Sequence, residues 1–412
     1  MMARYLRTVS TRRLLAIIAG LLVAAIGGTA IALAAVGNGP VPPRKPLAGA
    51  IHSALAAKAP AGITARITFT NHLITATDLQ GESDPILNGA SGRLWLSPGT
   101  HQLRVELQSD SGGGDAQVVV NDRSFWVYDP SANTVYEGTL PQKHATKKHE
   151  TEKVPTLAQI QTDLNKALRH VDLSAAIPGD VAGHPTYTIR VGPKHSGGLL
   201  GAGELAWDAI RGVPLRIAVY ARNDTAPVLE LKATDISYGA VPASDFNISP
   251  PGKAKVVKVQ TPRGANPTAP KRTLKGHTAL RRHARVNGLA AVASKLPFKL
   301  DAPASLVGLG RRAVTLLDWG GKPAAVVAYG QNLGGIAVLE QVADANAPGL
   351  AAGPKGHKRR GLSLPTVSIN GITGQELDTA LGTMVHFTRG GIAYTVLGSV
   401  PPVAADQAAR AL

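Results

Sequence analysis

Between Ile63 and Ser249 the apolar residues recur, stretch after stretch, at every second position. ITARITFT, GRLWLS, HQLRVELQS, QVVVN, SFWVYDP and TVYEG alternate in this way, and TYTIRV, GELAWD, PLRIAVYAR, VLELKATDISYG and FNIS resume the pattern. A period of two sends successive side chains to opposite faces of a strand, so it predicts strands with one apolar face. The breaks are turn formers: Ser97-Pro98-Gly99, residues 111–114, Asn121-Asp122 and Asp129-Pro130. The result is an antiparallel meander, in which Leu103, Val105 and Leu107 share one face while Arg104 and Glu106 take the other. Leu215, Ile217 and Val219 repeat this against Arg216.

A sheet with one apolar face must cover it. Two short helices are the local material for a cover. One carries Leu47, Ile51 and Leu55 four apart, and the other follows Thr156 with Leu157, Ile160, Leu164 and Leu168, Gln159 completing a capping box. That is little for so many strands, and a sheet that outruns its cover leaves apolar surface for a ligand or partner. The candidate binding residues are Leu103, Val105, Leu107, Leu215, Ile217, Val219, Leu229 and Leu231. A filled core made of the same side chains is the competing reading.

Residues 14–36 run without a charge, and a helix of that length, at about 1.5 Å per residue, spans a bilayer. Arg4, Arg7, Arg12 and Arg13 precede it with no acid among them, which keeps residues 1–13 in the cytoplasm and sends the remainder outward. The run exceeds the length of a signal-peptide apolar region, so an uncleaved anchor is expected ahead of a removed signal, which would leave the chain secreted. A Pro-containing stalk, residues 37–46, follows.

Residues 47–250 form the expected first domain. Residues 251–285 hold ten Lys/Arg, four prolines and no acid, and 251–286 reads as a linker. A smaller α+β domain, residues 287–412, is expected beyond it, with AVTLLDW, AAVVAYG, GIAVLEQ, TVSIN, TMVHFT and IAYTVLGS as strands and PVAADQAARAL as a closing helix. Arg389-Gly390-Gly391 marks a hairpin between its last two strands. The fold class is therefore α+β: a transmembrane helix, a large antiparallel sheet covered by short helices, and a small second domain.

The formal charge of +17 in 412 residues usually suggests nucleic acid. Here the N-terminal tail, residues 251–285 and the loop GPKGHKRRG hold 18 of the 44 Lys/Arg and no acid, leaving 26 against 27 elsewhere. The expected domains are close to neutral, no aromatics interleave with the basic runs, and nucleic acid is excluded as a partner. No cysteine is present, so disulfides, Cys-ligated metals and thiol nucleophiles are excluded. No Walker, HExxH, GxSxG or EF-hand pattern occurs; Gly201-Ala202-Gly203 with Ala206 reads as a hairpin and strand. His144 and His149 read as parts of a solvated Lys-rich loop, and Asp122 and Asp129 as turn residues. Trp95, Trp126, Trp207 and Trp319 all fall in predicted strands and read as packing residues. No catalytic residue, metal site or cofactor is expected, and an enzyme is not.

Four motifs in order carry a resemblance. A leading helix precedes GRLWLSPGTHQLRVEL; DAQVVVNDRSFWVYDPSANTVYEG follows, then GVPLRIAVYAR, then ISYGAVPASDFNISPPGKAKV. Together these resemble the lipoprotein-carrier superfamily, which comprises LolA-type carriers, mycobacterial lipid-carrying lipoproteins and RseB-type regulators of anti-sigma factors. Arg123 stands where that family usually has Gly. The resemblance implies a half-barrel of about eleven strands closed by helices around a cavity for acyl chains. Residues 287–412 loosely resemble a small unit at the carboxy end of bacterial anti-sigma-linked envelope proteins. The resulting expectation is a membrane-tethered, extracytoplasmic, non-catalytic binder of lipid or lipoprotein in the cell envelope. The alternative is an RseB-like envelope-stress regulator that contacts an anti-sigma factor or another envelope protein.

Overall fold

The computed structural model describes residues 39–74, 89–109, 114–130, 132–140, 154–195, 197–259, 286–319, 322–343 and 364–412. The apolar run 14–36, His144, His149, most of the basic linker and the loop 353–361 lie outside these residues. Among the described residues no helix is long and apolar enough to cross a membrane. They are mainly β, with two sheets, one in each of two compact units, and only four short α-helices in place of a larger helical share.

The first unit is a curled half-barrel. Its meander runs β1 (Ile63–Asn71), β2 (Ala90–Ser97), β3 (Gln102–Ser109), β4 (Asp115–Asn121), β5 (Ser124–Asp129) and β6 (Thr134–Thr139). Asp122 and Asn133 take positive φ at its tight turns, a conformation that Asn and Asp tolerate. After a helix the chain adds β7 (Val171–Leu173), β8 (Ile177–Val181), β9 (His184–Pro193), β10 (Leu200–Asp208), β11 (Pro214–Ala221) and β12 (Leu229–Tyr238). β12 pairs antiparallel with β1, which joins the two halves into one sheet in the order β13-β6-β5-β4-β3-β2-β1-β12-β11-β10-β9-β7, with β8 on β9. β13 (Lys255–Val259) falls inside the segment read as linker. It lies parallel on the outer edge of β6, where three valines interspersed with two lysines meet the edge's backbone hydrogen-bonding groups.

One irregularity aligns the faces. On β12 the partner of Arg66 is Asp235 and the partner of Ile67 is Ala233, so Thr234 is an extra residue. Such a bulge shifts the alternation by one. Ile236 and Tyr238 on one side of it, and Ala233, Leu231 and Leu229 on the other, consequently share a face.

Helix α1 (Leu47–Ala56) buries Ala48, Ala50 and Ala54, whereas the expected stripe of Leu47, Ile51 and Leu55 is only half-buried. Small side chains win because the helix meets backbone: a Cβ on Gly212, at φ +66, would stand 2.3 Å from the Ala54 carbonyl oxygen. Helix α2 (Leu157–Ala167) begins with the expected capping box, the Thr156 hydroxyl accepting from the Gln159 N–H and the Gln159 carboxamide from the Thr156 N–H. Ile160 is its single fully buried residue.

The second unit holds β14 (Ser305–Leu306), β15 (Leu309–Trp319), β16 (Lys322–Tyr329), β17 (Ile336–Val342), β18 (Thr366–Ile369), β19 (Ile372–Thr379), β20 (Gly382–Arg389) and β21 (Ile392–Gly398). The order is β14-β15-β16-β17-β21-β20-β19-β18. Its core packs Val327, Val338, Val385 and Val396 against Ala405, Ala408 and Ala409 of helix α4 (Pro402–Arg410), with Val292 of helix α3 (Leu289–Ala293). Phe387 and Tyr394 stack at 5.0 Å. Gly390 and Gly391 both take positive φ in the expected hairpin. β19 was not anticipated, because ITGQELDT places Gly and Gln where an apolar alternation would show.

The two-residue turn between β14 and β15 is Val307-Gly308, with φ of 45° and 80°. A β-branched residue is strained in this region. Val307→Asn is expected to stabilise the second unit by about 1 kcal/mol. Chemical denaturation of the two proteins checks it, and an unchanged or lowered midpoint would refute it.

Candidate functional site

Directly opposed residues of an antiparallel pair stand on one face. Followed across the half-barrel, Tyr136, Val127, Val118, Val105, Leu94, Ala65 and Ile236 form one apolar row from β6 to β12. Phe125, Val120, Leu103, Leu96, Ile63 and Tyr238 form a second beside it. Leu107 lies opposite Gly92 and Ala116 on the same face. Through the bulge at Thr234 the face continues to Leu231 and Leu229, which oppose Ile217 and Val219 of β11.

Seven of the eight predicted residues therefore stand on one face without being sealed. Leu103, Val105, Leu107, Ile217, Val219 and Leu229 are half-buried and Leu231 is 42% exposed. Leu215 is 3% exposed inside a closed cluster with Ile63, Ala65, Ile67 and Ile236, and Val105 and Leu107 pack against the edge of that cluster while remaining half-buried. The residues that sequence reasoning missed are Leu94, Leu96, Val118, Val120, Phe125, Val127 and Tyr136, none of them fully buried. SFWVYDP carried the signal for two of them; in QVVVN three consecutive valines hide the parity.

The opposite face of β4 to β6 is the covered one. Residues 243–248 cross it: Phe246 is buried there, as are Val119 and Val135, Arg104 donates to the Asp245 carbonyl at 2.9 Å, and the Asn121 amide donates to Asn247 at 3.2 Å. A cleft of about 180 Å³ remains beside them, lined by Val119, Asn121, Ser124, Trp126, Phe246, Asn247 and Ile248. At this end the apolar face is half-open; on its reverse Val119 and Val135 are sealed, while Trp126 and Tyr128 are half-buried.

The far end is dense. β10 is buried at nearly every position, with Trp207 tilted against Tyr187 at 6.2 Å. An ionic ladder crosses four strands there. The Glu204 carboxylate accepts from Arg190 and Arg216, both at 2.7 Å, and from the Tyr220 hydroxyl at 2.9 Å, and Arg216 also donates to Glu230 at 2.6 Å. Burial alone would push the Glu204 carboxyl up, but the hydrogen bonds from Arg216, Arg190 and Tyr220 outweigh it and hold it below the usual carboxylate range.

Asp208 is fully buried. It accepts from the Tyr238 hydroxyl at 2.8 Å and from the Ile210 and Arg211 N–H groups, both at 2.8 Å, and stands 3.4 Å from His184 Nδ1. Burial, with the Asp208 hydrogen bond added, pushes the Tyr238 hydroxyl up, so it serves as a donor and not as a nucleophile. The group fastens the β10–β11 turn. Among the described residues no cluster of three or more His, Asp or Glu could hold a metal ion.

No protein-family model matches the sequence, and no curated protein matches it. Solved structures do. The chain is similar to MucB and to LolA-superfamily proteins. The MucA/MucB complex of Pseudomonas aeruginosa aligns at 14% identity over 88% of this chain and 94% of that one, TM-score 0.37. A LolA-superfamily protein from Nitrosomonas europaea aligns at 11% identity over 50% and 98%, TM-score 0.20. A putative outer membrane lipoprotein-sorting protein domain from Vibrio parahaemolyticus aligns at 12% identity over 45% and 89%, TM-score 0.19. At these scores the functional reading rests on the geometry of the apolar face.

Proposed function

We propose that this chain is a non-catalytic, extracytoplasmic binding protein of the cell envelope, tethered by residues 14–36, that holds acyl chains of a lipid or lipoprotein on the apolar face of its half-barrel. The observation that carries the reading is the inversion at β4 to β6: Val118, Val120, Phe125 and Val127 are half-exposed while Val119 and Val135 on the reverse are sealed. Contiguous apolar area of this kind is costly to leave in water, and each acyl methylene laid on it contributes about 0.8 kcal/mol. Leu231, Ile217 and Val219 extend the face beyond β1.

Native mass spectrometry of the purified chain tests this. Recovery with bound lipid is the expected result, and a ligand-free protein that acquires no lipid from vesicles would refute it. MucB has been solved in complex with MucA. If this chain instead acts by contact with an anti-sigma factor or another envelope protein, the same preparation carries a protein and no lipid.

A further inference from the structure

The second unit contains a buried carboxyl group that its surroundings satisfy at one oxygen only. Glu340 of β17 is fully buried. Its Oε2 accepts the Asp301 N–H at 2.9 Å, while Oε1 has no partner, and the buried hydroxyl of Tyr329 has none either. An orphaned buried oxygen costs about 1–3 kcal/mol, more if it is charged. The cation whose charge acts on it is already committed: Arg389 donates to Asp301 Oδ2 at 3.0 Å and to the Leu412 main-chain oxygen.

Asp301 belongs to an extended strap, residues 296–304, whose Leu296, Leu300 and Ala302 pack on the core. The polar groups that fasten the strap to the sheet converge here. The Asp301 N–H reaches Glu340, Arg389 reaches the Asp301 carboxylate, the Arg311 guanidinium reaches the Ala302 carbonyl, and the Arg311 N–H reaches the Ala304 carbonyl at 2.9 Å.

We propose that ionisation of Glu340 unlatches the 296–304 strap from the sheet, so that the second unit is fastened in mildly acidic conditions and loosens in alkaline ones. A neutral carboxyl is tolerated in the apolar core, whereas a carboxylate with one empty oxygen must find water or a cation. Water reaches it once the strap lifts, and Arg389 reaches it once it leaves Asp301 and Leu412.

The groups around Glu340 set the direction. Burial pushes its carboxyl up to about 7, with the Asp301 carboxylate adding to this, against the Asp301 N–H and Arg389, which favour the charge. The Tyr329 hydroxyl of β16 is pushed up to about 12 and that of Tyr394 of β21 is also raised, both by burial first, so neither titrates near neutrality. Arg311 of β15 acts on Tyr329. A carboxyl whose folded value exceeds its free value contributes stability that is complete below the free value of 4.5 and is lost as pH rises through about 7.

Hydrogen–deuterium exchange of the full chain tests the latch, read at residues 296–304 and corrected for the intrinsic pH dependence of exchange. Strap opening is expected to rise by more than about tenfold between roughly pH 5.5 and 8.5 in the wild type, and to stay flat in Glu340→Gln. A flat wild-type profile, or an equal rise in the variant, overturns the proposal. Should the variant not fold, carbon-13 NMR of the wild-type Glu340 carboxyl decides. A midpoint near 7 that coincides with the rise in exchange supports the latch, and a midpoint near the ordinary 4.5 overturns it.

Discussion

Glu204→Ala is expected to destabilise the first unit by about 3–5 kcal/mol. Glu204 is 6% exposed and holds two guanidinium groups that are themselves mostly buried, so its removal leaves Arg190 without its carboxylate partner and Arg216 with Glu230 as its one carboxylate, beside the Tyr220 hydroxyl. Arg190 also lies over the Tyr220 ring at 4.7 Å, so the loss disturbs packing as well as charge. Urea denaturation of the wild type and the variant measures it, and a change below about 1 kcal/mol would show that the ladder is solvated in solution. The same pairing fixes a pH dependence. Because the Glu204 carboxyl is held below its ordinary 4.5, its contribution is present above that value and disappears as pH falls through the lower folded value. Glu204→Ala should therefore flatten the acid limb of the unit's stability profile.

The antiparallel meander was legible in the sequence because its strands read as alternations with turn residues between them, and its curling into a half-barrel was expected from the family resemblance alone. Leu103, Val105 and Leu107 reached the predicted face for that reason alone. What local pattern could not supply was parity across a bulge. Leu229 and Leu231 share a face with Ile236 and Tyr238 only because Thr234 is looped out, and no residue type in VLELKATDISYG announces it. Nor could alternation say which face would be packed. Phe246, more than a hundred residues away in sequence, is buried beside Val119 on the reverse of β4, a long-range placement with no local signature. Leu215 shows the converse, a member of the correct stripe that ends in closed core because β1 and β12 meet beside it. β13 was overlooked because a five-residue parallel strand has almost no pattern of its own, and what orders it is the free edge of β6. Glu340 lay unseen in GIAVLEQ, where a charged residue at an inward position reads as the polar end of a strand.

Val105→Asp should abolish acyl-chain binding while leaving the protein folded. Val105 sits in the middle of the apolar row, directly between Leu94 and Val118, and is half-buried in the unliganded chain. In that state Val105 packs beside the buried Ile63 and Ile236 cluster yet keeps part of its surface in water. The new carboxylate stays partly hydrated, so the cost to folding is about 1–3 kcal/mol. With an acyl chain laid over the row, the same carboxylate loses its hydration and finds no cation on this face among its opposed neighbours. Desolvating an unpaired carboxylate costs several kcal/mol, and about 1.4 kcal/mol is a factor of ten, so affinity should fall by at least about a hundredfold. Thr68→Asp is the control. It lies on the reverse face of β1, opposite Ser91 and Lys232, where a carboxylate gains a cation and meets no ligand. Fluorescent fatty-acid displacement, run beside thermal melts of both variants, separates the outcomes. Equal loss in the two variants, or retained binding in Val105→Asp with an intact melt, would place the ligand elsewhere than on this face.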